Sequence, residues 1–233
     1  MSLPSLSEKA VVVRTMFDRI APTYDRMNRL LTLGADQRWR RRVVELSQVG
    51  LGSSTLDVAC GTGDLIEHLM ASGARVVGVD VSAGMLAVAE RRGFVGRLVR
   101  ADGLELPIAS ASIDALTCAF ALRNVVSIPT LLAEARRVLR PGGRLVLLEV
   151  AEPRLALLRR LHGFYFGRIV PLVGGLLVDR EAYAYLPASA TWLPAPETLA
   201  AWIVEAGFED VRREVLLFGA AQILSATGMA RQP

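Results

Sequence analysis

Cysteine is scarce: Cys60 and Cys118 are the only two in 233 residues. A secreted, disulfide-stapled domain packs more cysteines into a shorter chain, so a reducing cytoplasmic setting is expected. Histidine is as rare, and His68 and His162 show no ligand spacing, so no metal is expected. Lysine is almost missing: Lys9 stands alone among 27 cations. The arginines alternate with acids, as in Asp18-Arg19, Asp25-Arg26, Glu90-Arg91 and Asp179-Arg180, and the net charge is only +4. A nucleic-acid face clusters its cations, so the pI of 9.6 does not point to nucleic acid. No run reaches the ~20 apolar residues of a spanning helix. The nearest, Phe164 to Val178, is interrupted by Arg168, Pro171, Gly174 and Gly175. Met1 to Ala10 carries Pro4 and Glu8 and no apolar stretch, which argues against a signal peptide.

What remains is rich in core-forming residues: 52% hydrophobic and 21% charged. Disorder is excluded, and a chain of this length buries ~70% of its unfolded surface without staples. Residues 5–48 read as helices, with Val11, Val12, Thr15, Met16 and Ile20 at helical spacing and Pro22 as a break. From Ser53 onward strands alternate with helices: Thr55 to Val58, Arg75 to Asp80, Phe94 to Arg100, Ile113 to Cys118 and Arg144 to Glu149. Helices fall at Asp64 to Ala71, Ser82 to Arg92 and Ile128 to Leu139, and Pro141-Gly142-Gly143 reads as a turn. This alternation predicts βαβ units and a doubly covered, mostly parallel sheet. Arg154 to Ala190 looks helical, Pro196 to Ala206 is a helix ended by Gly207, and Val211 to Phe218 and Gln222 to Ala226 close the sheet. The expectation is one Rossmann-like α/β domain of seven strands over residues 1–233, with a helical cap over residues 1–48 and an insertion near 151–190.

The sharpest signal is Asp57-Val58-Ala59-Cys60-Gly61-Thr62-Gly63-Asp64, a strand running through a glycine turn into a helix. Gly61 and Gly63 allow positive φ and close approach of a ligand to the backbone. Asp80 ends the next strand nineteen residues after Gly61, where an acid can accept both hydroxyls of a ribose. A dinucleotide loop needs a third glycine where Ile66 stands, and Asp64 places negative charge where pyrophosphate would sit. An amino-acid ammonium suits that charge, so the loop favours S-adenosylmethionine. Asp102, after the third strand, is placed for the adenine amine, or serves as a turn aspartate.

Three further stretches extend this layout. Phe17-Asp18-Arg19-Ile20-Ala21-Pro22-Thr23-Tyr24-Asp25-Arg26-Met27-Asn28, with Trp39-Arg40 following, resembles the N-terminal signature of the C-methyltransferases of ubiquinone and menaquinone biosynthesis. Ala119-Phe120-Ala121-Leu122-Arg123-Asn124-Val125 resembles their second signature, with Ala121 where glycine is usual. Arg137 to Gly143 is shared more widely among class I methyltransferases. The acceptor half departs: Tyr165-Phe166-Gly167 replaces a Tyr-Ser-Phe run, and Gly219-Ala220-Ala221-Gln222 replaces a strand with paired glycines and a histidine.

The resemblance implies methylation of a ring carbon on a demethylmenaquinol, or its ubiquinone-pathway equivalent, with S-adenosylmethionine as donor. It implies cofactor contacts from Asp57, Gly61, Thr62, Gly63, Asp80, Asp102, Gly103 and Ala119. Arg123 would stabilise the ring anion or hold a water, Asn124 would fix a hydroxyl, and Tyr24 would close over the cofactor. Arg123 instead pairing with Asp18 or Asp25 is the simpler alternative. A small apolar aromatic acceptor, or a module that binds the cofactor without turnover, also stays open. Partners are then a lipid quinol, a transient membrane surface and, left open, a second copy of the chain as a homodimer. Leu155 to Val178 has the mixture of arginine, leucine and aromatics found in interfacial helices.

Overall fold

The computed structural model describes residues 6–177 and 179–230. Met1 to Ser5, Val178 and residues 231–233 therefore lie outside the described residues. In chain order the elements are α1 (Leu6–Ile20), α2 (Tyr24–Leu31), α3 (Ala35–Ser47), β1 (Ser54–Val58), α4 (Asp64–Ala71), β2 (Arg75–Asp80), α5 (Ala83–Ala89), β3 (Leu98–Arg100), β4 (Ile113–Ala119) and α6 (Ile128–Val138). There follow β5 (Leu139–Val150), α7 (Ala156–Phe164), α8 (Val170–Leu177), α9 (Arg180–Ser189), α10 (Pro196–Glu205), β6 (Phe208–Leu216) and β7 (Ala221–Gly228).

The apolar strand runs assemble as expected into one seven-stranded sheet, in the order β3-β2-β1-β4-β5-β7-β6. Strands β1 to β5 pair in parallel, and β7 runs antiparallel to both β5 and β6. Strand order reverses between β1 and β4, and an open α/β sheet binds ligands beyond the carboxyl ends of its strands at such a point. Both faces are covered, which is why β4 and β5 carry continuous buried runs. One core packs β1, β4 and β5 against α6 and α10 through Leu116, Leu131, Leu132, Ile203 and Phe208. The other packs α3, α4 and α5 on the opposite face through Val43, Leu65, Ile66, Leu69 and Ala89.

The described part of the cap, residues 6–48, is three α-helices with a short 3-10 turn at Ala21–Thr23. Its inward stripe on α1 is Val13, Met16 and Ile20, packed with Met85 of α5. Val11 and Val12, expected inward, are exposed, because a residue one or two places off the stripe is carried around the helix by its 100° step. Helix α1 crosses α5 at Gly84, where a Cβ would stand 2.8 Å from the Asp18 backbone. Two expected boundaries moved. Phe94, expected in the third strand, is buried in a helical turn over Glu90–Phe94, and the strand begins only at Leu98. Gly93, at φ 97°, breaks the helix there. Pro141-Gly142-Gly143 does not stand apart as a turn but lies within β5, opposite a register shift between Ile113 and Ala115.

Candidate active site

Beyond the ends of β1 and β4 the backbone turns through the left-handed region at two non-glycine residues, Ala59 (φ 55°) and Phe120 (φ 60°). Such conformations cost strain in non-glycine residues and recur at active sites, and six others among the described residues lie elsewhere in the fold. Both residues line a cavity of about 220 Å³ together with Gly61, Asp80, Asp102, Gly103, Ala119, Asn124 and Tyr24. Seven expected site residues thus converge on one cavity. The cap closes its far side with Val13, Arg14 and Phe17 of α1, and the Phe17 and Tyr24 rings meet edge to face at 5.9 Å.

Asp80 is built to receive a diol. One carboxylate oxygen accepts the Gly61 N–H and the other the Ser82 N–H, each at 2.8 Å. Each oxygen has two lone pairs, so one acceptor position per oxygen remains, matching two ribose hydroxyls. Burial pushes the Asp80 carboxyl up, opposed by those N–H donors. Asp102 accepts the Leu104 N–H at 2.9 Å and is exposed at the cavity rim, so the turn role is real and leaves its other oxygen open.

Four expectations change. Asp57 is buried beneath the loop and accepts the Thr117 hydroxyl at 2.7 Å instead of lining the cavity. The sheet's two-residue alternation puts it on the same face as its register partner Thr117 and on the opposite face from Val58, which lines the cavity. The Thr62 hydroxyl donates to Asp25 at 2.5 Å, which turns it toward the cap. Gly63 is the left-handed N-cap of α4, and a Cβ there would stand 2.5 Å from the Phe94 ring, so its role is packing. Asp64 is not left for an ammonium: Arg92 donates to it at 2.7 Å, and Arg29 and Arg40 stand at 3.3 and 3.8 Å. Burial works against its charge, but the three guanidiniums together hold its carboxyl below the usual range.

Two aspartates of the N-terminal signature are latches. Asp18 accepts the Ser82 hydroxyl at 2.6 Å and the Gly84 N–H at 2.8 Å, fastening α1 to the start of α5. Asp25 joins α2 to the glycine loop through Thr62 and to Arg92 at 3.1 Å. Neither pairs with Arg123. That arginine bonds the carboxylate of Glu149, at the end of β5, and both are buried. Arg123 also faces away from the first cavity: it lines a second, of about 610 Å³, with Glu152, His162, Phe166, Arg213 and Gln222. Asn124, its neighbour in sequence, lies on the first side, with its carbonyl oxygen accepting the Tyr185 hydroxyl at 3.0 Å and its amide donating to the Phe120 carbonyl at 3.3 Å. Burial pushes that tyrosine up to about 12.

Sequence reasoning missed Glu149, Arg92, Tyr185 and Lys9. Lys9 is buried, donates to the Val125 carbonyl at 2.7 Å and stands 4.0 Å above the Trp192 ring. A lone lysine in an arginine-rich chain was a usable signal. So was an acid ending an apolar strand, as Glu149 does.

Sheet order, a glycine loop with an acid where pyrophosphate would sit and a diol-accepting acid at the end of β2 define a class I, S-adenosylmethionine-dependent methyltransferase. The fold agrees with a solved S-adenosylmethionine-dependent methyltransferase of Thermotoga maritima at TM-score 0.64 and 19% identity, over 92% of this chain and 99% of that one. Residues 5–228 match the model of the ubiE/COQ5 methyltransferase family, and the chain belongs to that family. Demethylmenaquinone methyltransferase of Thermus thermophilus is 47% identical over 89% of this chain and 97% of that protein. The ubiquinone/menaquinone biosynthesis C-methyltransferase of Geobacter sulfurreducens is 40% identical over 94% and 89%.

Proposed function

We propose that this protein methylates a ring carbon of a polyprenyl hydroquinone, demethylmenaquinol to menaquinol first among the choices, and works at the cytoplasmic surface of a membrane. The observation that carries this is the pairing of a cavity lined by Gly61, Asp80 and Asp102 with family membership at 47% identity to a demethylmenaquinone methyltransferase. Asp80, Gly61, Asp102, Gly103 and Ala119 would hold S-adenosylmethionine, whose sulfonium supplies an activated methyl group. Tyr24 and Phe17 close over it from the cap and exclude water, which aligns donor and acceptor. Arg123, one residue from Asn124 and held by Glu149, would act on a developing ring anion through its charge from behind the cavity wall.

Helix α7 supports the membrane part. It buries none of its residues, and Leu157, Leu161 and Phe164 are 69%, 59% and 59% exposed. Leu172 and Leu176 of α8 are exposed as well. From Arg154 to Val178 the chain has four arginines and no acid, although acids and arginines alternate elsewhere. Arg154 pairs with Glu197 at 3.0 Å, and exposed apolar groups among the remaining arginines suit anionic headgroups. No helix among the described residues is long and apolar enough to cross a membrane.

One experiment tests both parts. Purified protein receives methyl-labelled S-adenosylmethionine and demethylmenaquinol in neutral or anionic liposomes. Labelled menaquinol should form, faster on anionic vesicles, and R159E/R160E/R168E should lose that advantage. No labelled quinol on either surface removes the function; equal rates on both surfaces for the wild type remove the membrane contact alone.

A further inference from the structure

The Asn124 carboxamide is held from two sides. Its carbonyl oxygen accepts the Tyr185 hydroxyl at 3.0 Å, and its amide nitrogen donates to the Phe120 carbonyl at 3.3 Å. The two ends of a carboxamide are alike in shape, so the partners decide which is which. A backbone carbonyl only accepts, so it takes the NH2 end, and the oxygen is left for the tyrosine, whose hydroxyl donates to it. A reversed amide would set two oxygens against each other at Phe120. Tyr185 is buried, with its ring edge-on to Trp192 at 5.9 Å. Burial pushes its pKa up to about 12, which keeps the donating proton in place near neutral pH. An amide nitrogen carries two hydrogens. The second one on Asn124 has no partner among the described residues, and Asn124 lines the cofactor cavity.

We infer that Tyr185 is a positioning residue that turns the NH2 end of Asn124 into the cofactor cavity, where its free N–H donates to the ring oxygen of a hydroquinone in its deprotonated form. This rests on the proposed function and deepens it. Donor and acceptor then share one cavity. Ala119, on the cofactor side, and Asn124 belong to the same turn after β4. Val125 and Val126 continue that lining, and Val11 and Val13 face the cavity from α1. Val11 and Val126 are exposed, which puts them at its mouth. Apolar side chains around one free N–H fit a flat hydrocarbon ring that carries an oxygen.

The direction of the hydrogen bond matters chemically. The phenolic proton leaves to water and its bonding pair stays on oxygen. A donor aimed at that oxygen favours the charged form and lowers the pKa of the bound phenol. A carbonyl aimed there would favour the neutral phenol instead. The charged and titratable groups lining the cavity are Arg14 on α1, Tyr24 on α2, Asp80 at the end of β2 and Asp102 after β3. Arg123 stands behind the wall, and Lys9 of α1 bonds the Val125 carbonyl. None of these holds the Asn124 carboxamide; Tyr185 and Phe120 do.

The test separates binding from turnover. S-adenosylhomocysteine, which has no methyl group to give, fills the cofactor site, and 1,4-dihydroxynaphthalene, kept reduced, is titrated with alkali. Phenolate absorbance reads the pKa of the bound diol. Y185F keeps the ring against Trp192 and removes only the hydroxyl. The bound pKa should rise by about one unit, a tenfold loss of preference for the anion. With S-adenosylmethionine, kcat at neutral pH should fall about tenfold. N124A should show the same rise, and Y185F/N124A no further rise, because the two side chains act as one unit. Affinity for S-adenosylmethionine, read by calorimetry, should change less than about twofold in all three. Where Y185F does not fold, N124D serves. It still accepts from Tyr185 but turns a carboxylate oxygen toward the ring, so the bound pKa should rise further than in N124A. An unchanged bound pKa in Y185F, or effects of Y185F and N124A that multiply, overturns the positioning role. Tenfold weaker S-adenosylmethionine binding in N124A gives the N–H to the cofactor and overturns it too, as does a wild type that does not bind the diol. Should these shifts appear while the wild type methylates neither the diol nor demethylmenaquinol, the functional reading fails and the positioning role stands.

Discussion

Replacing Arg123 with alanine removes one half of a buried ion pair. The Glu149 carboxylate is fully buried; beyond Arg123 it accepts only the Val150 N–H at 2.8 Å and the Arg123 N–H at 3.3 Å. Removing the guanidinium strands that charge away from water. Breaking a buried pair this way costs about 3–5 kcal/mol. A chain of this size loses ~2–4 °C of Tm per kcal/mol, so R123A should melt about 6–20 °C lower. E149Q should lose a similar amount, because it strands the buried guanidinium and turns an amide NH2 toward one of the two N–H groups, which bond different carboxylate oxygens. R123M/E149M removes both charges and should recover most of the stability, since apolar replacement of a whole buried pair is often neutral. Turnover separates structure from chemistry. The double variant, folded, should remain at least ~10²-fold slower than wild type with S-adenosylmethionine affinity little changed, because the lost charge acts on the transition state. Differential scanning calorimetry and a methyl-transfer assay suffice. An R123A melt within 2 °C of wild type would refute the ion-pair argument, and a fully active double variant would make Arg123 purely structural.

Two further outcomes follow from the carboxylates at the strand ends. D80A should weaken S-adenosylmethionine binding roughly tenfold to a hundredfold, the worth of ~1.5–3 kcal/mol for hydrogen bonds to a charged acceptor, and calorimetry showing no change would sink the ribose assignment. Burial pushes Asp57 up from 3.8 to about 7. Between those values the folded chain holds a proton that the unfolded chain has released. Stability therefore falls as pH rises through this window, by at most about 4 kcal/mol. D57N abolishes that slope while keeping an acceptor for Thr117. It should match wild type near pH 4 and be the more stable at pH 8; Tm curves that stay parallel would count against the raised value.

The alternating strands and helices, the cofactor loop and the ends of α4 and β2 were legible because each follows from local pattern: apolar runs, a glycine turn, an acid at a helix start. Side-chain partners were less so. Asp64 reads as an open carboxylate in sequence and is closed off by arginines from α2, α3 and the turn after α5. Arg123 reads as a partner for the cap's aspartates and finds Glu149 instead, 26 residues on, because parallel pairing brings the ends of β4 and β5 together. Asp18 and Asp25 were legible as signature residues but not as latches, since their partners lie 64 and 37 residues away. The second cavity was invisible for the same reason: its walls come from the ends of β4 and β5, the insertion, and the last two strands.

The chain's one ammonium side chain sits under α1, between the Val125 carbonyl and an indole. Burial lowers its pKa while the cap is seated, and opening returns it to an ordinary solvated amine. While the cap is seated, Lys9 is shielded from amine-reactive dyes; each moment the first helix lifts, it is open to acylation. No other lysine competes for label. Read at Lys9 by peptide mapping, which sets the chain's α-amine aside, the rate of acylation is therefore a clock for cap opening. Slowing of that clock by saturating cofactor would measure, residue by residue and without engineering a probe, how tightly the occupied site holds its own door.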